Sequence, residues 1–199
     1  MTLSIKAGSV LLAFGLLSYE GASAESDYLN MPPLGVGWKV ARQQSDANRR
    51  MREFVRDGES LNNWTEHISW ESFRKGPTVP SETVVNGKRD FLKQFCADLM
   101  WNTIRREEEL ILYEWRISDC KPPSRSDFDR LNAAPGARLD PNVQLEQLFA
   151  DQHSISLYIE GKWTVWHISY VIKVKEIPDE KRTEWIKRFS DTSVGIDPK

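Results

Sequence analysis

Alternation of apolar and polar side chains is the dominant signal in this chain, recurring between residues 38 and 174. Residues 38–44 set Trp38, Val40 and Arg42 on one side of an extended segment, with Lys39 and Ala41 on the other. Ser45-Asp46-Ala47-Asn48 supplies turn chemistry and residues 49–55 alternate again, so the two segments read as a hairpin. Asp57-Gly58 marks another turn and residues 59–63 a short helical turn. Residues 64–73 predict a third strand, with Glu66, Ile68 and Trp70 opposing Thr65, His67, Ser69 and Glu71. Residues 110–118 align Ile111, Tyr113, Trp115 and Ile117 against Glu114 and Arg116. Residues 144–149 and 154–160 read as two more strands, or as one long bent strand. After Gly161-Lys162, residues 163–174 form the longest pattern, in which Trp166, Ile168, Tyr170, Ile172 and Val174 oppose His167, Ser169 and Lys173.

The period changes in two places. From Lys88 onward, Leu92, Phe95, Cys96, Leu99 and Thr103 recur at helical spacing. That spacing predicts one long helix, opening near Ser81 and ending at Glu107-Glu108-Glu109. Pro178-Asp179-Glu180 opens a C-terminal helix whose buried stripe carries Trp185 and Phe189, with Gly195 beyond its end. Residues 75–80 read as a linker. Residues 120–141, with Pro122, Pro123, Pro135, Gly136 and Pro141, read as an irregular loop. The expected fold is α+β: a single domain with an antiparallel sheet, on which one long helix and one C-terminal helix pack.

The N-terminus adds an address. Lys6, an apolar run over residues 7–17 and Ala22-Ser23-Ala24 together read as a signal peptide, residues 1–24, cleaved before Glu25. Eleven apolar residues fall short of the roughly 20 that cross a bilayer, so no integral membrane segment is expected after cleavage. Residues 25–36, containing Pro32-Pro33, read as an extended lead-in, and residues 37–199 as the domain. An exported protein, periplasmic or secreted, is the expectation. The formal charge of −2 provides no global field for nucleic acid or anionic lipid. Cys96 and Cys120, the two cysteines, predict a disulfide in an oxidising compartment, with two unpaired thiols as the alternative.

Candidate chemistry is sparse. His67, His153 and His167 stand at no metal-ligand spacing, neither cysteine sits in CxxC, and no nucleophile elbow or phosphate loop is present. No metal, cofactor or catalytic residue is therefore assigned. His67 and His167 read as solvated histidines on polar strand faces, and Ser169, two residues from His167, as part of such a face. Arg50 and Arg52 share a face of the second strand, with Arg42 joining them across the hairpin. Such a patch suits a phosphate, sulfate or carboxylate. The competing reading is a solvated face balanced by Asp46, Glu53 and Asp57. Eight tryptophans imply an aromatic core or an exposed binding surface, and Arg50, Arg52 and Trp64 are the candidate ligand-binding residues.

Gln43-Gln44-Ser45, Glu53-Phe54-Val55, Gly58-Glu59 and Asn63-Trp64-Thr65-Glu66 carry a family resemblance. The chain resembles a family of uncharacterised exported bacterial proteins with a GWK-QQS-EFV-GE-NWTE pattern near the mature N-terminus. Arg56-Asp57 stands where that pattern has Pro-Glu. The element order is also similar to the PsbP-like sandwich, an analogy of fold that licenses no function. The resulting expectation is an exported, non-catalytic binding or interaction module for an unidentified small ligand or protein partner. The alternatives are a small exported hydrolase assembled from distant residues such as His167, Glu66 and Ser169, and a secreted host-interaction factor.

Overall fold

The computed structural model describes residues 26–75, 80–132 and 145–196. The signal peptide assigned to residues 1–24 lies outside the described residues, as do most of the linker (76–79) and the stretch 133–144.

Seven antiparallel strands build the main sheet. β2 (Trp38–Ser45), β3 (Arg49–Arg56) and β4 (Glu66–Arg74) form one meander; β5 (Cys96–Glu107), β6 (Leu110–Cys120), β7 (Gln152–Glu160) and β8 (Thr164–Ile172) form a second. They join where β4 pairs with β8, with Ile68 opposite Tyr170, giving the order β2-β3-β4-β8-β7-β6-β5. A two-stranded ribbon pairs β1 (Asp27–Asn30) with β9 (Ser193–Ile196). The helices are α1 (Ser81–Leu92), α2 (Arg125–Asn132), α3 (Leu145–Leu148) and α4 (Asp179–Ser190). Strand dominates and no described helix exceeds twelve residues, so the expected α+β domain with one long helix is overturned: the protein is mostly β.

The long helix fails at a definable point. α1 ends at Leu92, and the second half of the predicted helix is β5, which runs antiparallel along β6 from Cys96↔Cys120 to Glu107↔Leu110. Leu92, Cys96, Leu99 and Thr103 fit a helical stripe, but Leu99, Trp101 and Thr103 also alternate, facing Ile117, Trp115 and Tyr113. Pairing decides between the two readings. The long apolar β6 needs a neighbour, and Trp, Thr and Ile suit a pleated surface better than a helix. The Sγ atoms of Cys96 and Cys120 are 2.07 Å apart, so the expected disulfide ties the start of β5 to the end of β6.

Smaller elements also depart from expectation. Residues 59–63 form a tight turn with a Ser60↔Asn63 bridge rather than a helical turn. Residues 145–148 are helix α3, not strand. The irregular loop contains α2, whose first turn is capped by the Ser124 hydroxyl accepting the Asp127 amide at 3.2 Å. The lead-in includes β1.

Each face of the sheet is covered. α4 packs on the face carrying Ile68, Leu112, Ile155, Leu157, Ile168 and Tyr170, bringing Trp185 and Phe189 into that core. α1 and Phe149 pack on the other, over Tyr113, Trp115, Ile117, Tyr158 and Val165. These are called the α4 face and the α1 face below. The β1–β9 ribbon lies at the α4 side, where Leu29, Met31, Leu34 and Val194 reach the same core. Arg188 donates to the Pro32 and Pro33 carbonyls, and Asp27 accepts the Trp163 and Thr164 amides at 2.6 and 2.8 Å.

Candidate functional site

On the α1 face, three serines set the local relief. Ser154 and Ser156 on β7 and Ser169 on β8 are small enough for longer neighbours to lie across them, and all three are buried. Tyr113 reaches from β6 over Ser156 until its hydroxyl is 2.9 Å from His167 Nε2 on β8. Ser169 Oγ is 3.3 Å from the same nitrogen and 2.9 Å from Ser156 Oγ, which accepts the Trp115 indole N–H at 3.2 Å. Trp101, Tyr113 and His167 stack in series, Trp101 and Tyr113 at 4.9 Å between centroids. Burial holds the His167 imidazole neutral, with its pKa down to about 3, and the nearby Lys88 ammonium adds to that effect. Burial also pushes the Tyr158 hydroxyl up to about 12 and Tyr113 higher still. His167 is thus no solvated histidine. Alternation identifies its face but cannot reveal that α1 covers that face.

Further along the same face, Glu53 is bonded by Arg42 and lies 3.1 Å from His67 Nε2. Burial raises the Glu53 carboxyl, but those two neighbours outweigh it and hold the group below its ordinary value. His67 is half-buried and paired, again unlike a solvated residue. The Trp64 ring stands 5.1 Å from the His67 ring, with Lys173 Nζ 4.2 Å above the indole.

The α4 face holds its charges differently. Arg182 on α4 grips Glu114 with two 2.8 Å bonds, and His153 Nε2 lies 3.0 Å from the same carboxylate. His153 Nδ1 accepts the Ile177 amide at 3.0 Å. Glu66 receives Arg56 at 2.7 Å, the Tyr170 hydroxyl at 3.0 Å and Lys181 from α4. For both carboxylates burial raises the pKa and the bonded partners overcome it, so both stay ionised below the usual range. These two clamps fix α4 to the sheet. Tyr170 and Trp185 stack between them, with centroids 4.3 Å apart.

Beyond the clamps, the α4 face of β3 and β4 carries a row of exposed arginines. Arg50 pairs in register with Ser72 and Arg52 with Trp70, and Arg74 follows Ser72 by one pleat. Arg50, Arg52 and Arg74 therefore share one face, and the Arg52 guanidinium lies 5.8 Å from the Trp70 ring centroid. None of the three forms an ion pair among the described residues. Strands β2 to β4 direct no carboxylate to this face except Glu66, which is held at the other end of β4.

The expected binding residues are therefore split. Arg50 and Arg52 converge as expected, but Trp64 stands with His67 on the opposite face. Arg42 does not join them, because a one-residue register shift between Val40 and Arg42 sets it opposite Glu53. Nor do the expected balancing acids reach the row: Glu53 faces the other way, and Asp46 caps its own turn through the Asn48 and Arg49 amides at 2.7 and 2.8 Å. Arg74 and Trp70 complete the patch: i, i+2 spacing puts Trp70, Ser72 and Arg74 on one face of β4, and the register with β3 brings that face beside Arg50 and Arg52. The hydrolase trio is also divided, since Glu66 lies on the α4 face and Ser169 and His167 on the α1 face. No described carboxylate bonds His167.

A cleft of about 510 Å³ opens between the start of α1 and the β5–β6 turn, lined partly by Glu82, Glu107, Glu108 and Glu160. Arg106, Arg105 and Lys75 neutralise Glu82, Glu107 and Glu160 respectively. Among the described residues no cluster of three metal-ligating side chains occurs, and no described helix is long and apolar enough to cross a membrane. No family model matches the chain, and no curated protein sequence matches it significantly.

Proposed function

We propose that this protein is an exported, non-catalytic binding module whose exposed arginine row engages a partner displaying phosphate, sulfate or carboxylate groups. The observation that carries this reading is the Arg50–Arg52–Arg74 row beside Trp70, with no carboxylate paired to it. Guanidinium groups fork two parallel N–H donors onto such anions, and a row without internal acids keeps those donors free for an external ligand. The strand pairing beneath fixes the spacing of the row, so two or three anionic groups are met at once.

The test titrates a sulfated oligosaccharide and, separately, inorganic phosphate into the purified protein at low and at physiological salt. The triple variant Arg50→Ala/Arg52→Ala/Arg74→Ala is expected to bind the oligosaccharide about tenfold or more weakly, roughly 1.4 kcal/mol. Wild-type binding is expected to weaken with salt. Equal binding by the variant and the wild type overturns the reading. Export is tested separately, by fractionating cells and sequencing the mature N-terminus for Glu25; finding the protein outside the cell supports the host-interaction variant.

A further inference from the structure

The arginine row has an uncharged flank on β2. Gln43 pairs in register with Arg52 and Ser45 with Arg50, so both side chains share the face that carries the row. Both are exposed, and neither side chain bonds a described residue. The register shift between Val40 and Arg42 creates this flank. Unshifted counting from the Val40–Phe54 pair would set Arg42 against Arg52; the extra residue sets Gln43 there instead. A like charge is thereby turned to the other face, and an amide and a hydroxyl stand in its place. Val40, 53% exposed, lies next along the flank beside Phe54.

Arg74 lengthens the row. Its amide donates to the Asn48 carbonyl at 2.8 Å, which places it one pleat beyond the Arg50–Ser72 pair. Arg52, Arg50 and Arg74 therefore recur about every 7 Å along the strand direction, over roughly 14 Å in all. That length exceeds a single sulfate, phosphate or sugar ring. The backbone of β3 is paired with β2 on one side and β4 on the other, so an extended peptide finds no ladder to join there. The face offers side chains only: guanidinium forks for anions, an amide and a hydroxyl for neutral oxygens, and an aliphatic contact for carbon. Resting on the anion-binding reading given above, we propose that the ligand is a linear acidic polysaccharide lying along β3. Its sulfate or carboxylate groups meet Arg52, Arg50 and Arg74, and its ring hydroxyls meet Gln43 and Ser45.

The experiment uses calorimetry at one low salt concentration with four probes: a sulfated hexasaccharide, the disaccharide of the same repeat, hexagalacturonate, and a peptide of alternating Glu and Ser. The sulfated hexasaccharide is expected to bind about tenfold or more tighter than its disaccharide, because successive charges meet successive arginines. Either hexamer binding more tightly than the peptide supports the proposal, and their order tells sulfate from carboxylate. Gln43→Ala/Ser45→Ala keeps every arginine and is expected to unfold at the wild-type temperature. It should weaken the tighter hexamer about fivefold and leave peptide binding unchanged. Peptide binding as tight as both hexamers, or a double variant that binds the hexamer like the wild type, overturns the polysaccharide assignment and leaves the row an anion site. Failure of the row itself looks different: the triple arginine variant then binds the hexamer as the wild type does.

Discussion

Beneath their covering helices, the two faces of one sheet treat buried charge in opposite ways. On the α4 face, Glu66 and Glu114 remain ionised because α4 supplies Lys181 and Arg182 to meet them. On the α1 face, the central polar groups are kept neutral: His167 is discharged, and three serines and Tyr113 share hydroxyl bonds. The first arrangement holds a helix to the sheet by charge. The second docks its helix mainly through apolar contacts: Val85 and Leu92 meet the core, and the helix's ion pair to the sheet, Glu82 with Arg106, lies in the exposed first turn. The difference teaches that burial alone does not fix the state of a polar group; the covering element does, by what it brings.

The largest effect should come from breaking an α4 clamp. Glu114→Ala leaves His153 and Arg182 without their shared acceptor, and is expected to destabilise the fold by about 3 kcal/mol in urea unfolding, allowing for the water that reaches Arg182. On the α1 face, Ser156→Ala removes the acceptor of the Trp115 indole and the central link to Ser154 and Ser169. About 2 kcal/mol is expected from the same measurement. A smaller loss for Glu114→Ala than for Ser156→Ala would erase the contrast.

A third test uses pH. The folded pKa of His167 lies below the unfolded value of 6.5, so as pH falls toward about 3 the unfolded chain takes up a proton that the native chain refuses. Stability is then lost at up to about 1.4 kcal/mol per pH unit over that window. His167→Gln should flatten this part of the stability profile; an unchanged slope would show that His167 is protonated in the native state. The smallest effect belongs to the arginine row. Arg50→Ala/Arg52→Ala/Arg74→Ala should shift stability by about 0.5 kcal/mol or less per site, because these exposed groups anchor nothing within the fold.

Much of the architecture is written in alternation. β3, β4, β6 and β8 are covered on at least one side, so Ile68, Tyr113, Ile168 and their neighbours announce themselves at period two. Trp185 and Phe189 announce α4 in the same way. β5 is ambiguous because Leu99 and Thr103 satisfy both periods, and only the pairing with β6 selects one. β1 and β9 are four residues each, too short to show any period. Half of the arginine site is legible, since Arg50 and Arg52 are two apart on one strand. Arg74 and Trp70 depend on a strand register that local sequence does not state, and the displacement of Arg42 depends on a one-residue bulge. The neutral seam is the least legible feature. A serine or histidine on a polar strand face looks the same whether water or a helix lies above it.

The β1–β9 ribbon has a mechanical consequence. Asp27 lies opposite Ile196, so the outer ends of both strands leave from the same end of the ribbon. Tension applied through them separates the four register pairs one after another, a zipper opening rather than a shear in which all bonds resist together. A single-molecule pulling trace should therefore begin with a low-force release of this ribbon. The load would then pass to Trp38 of the seven-stranded sheet on one side and to α4 on the other.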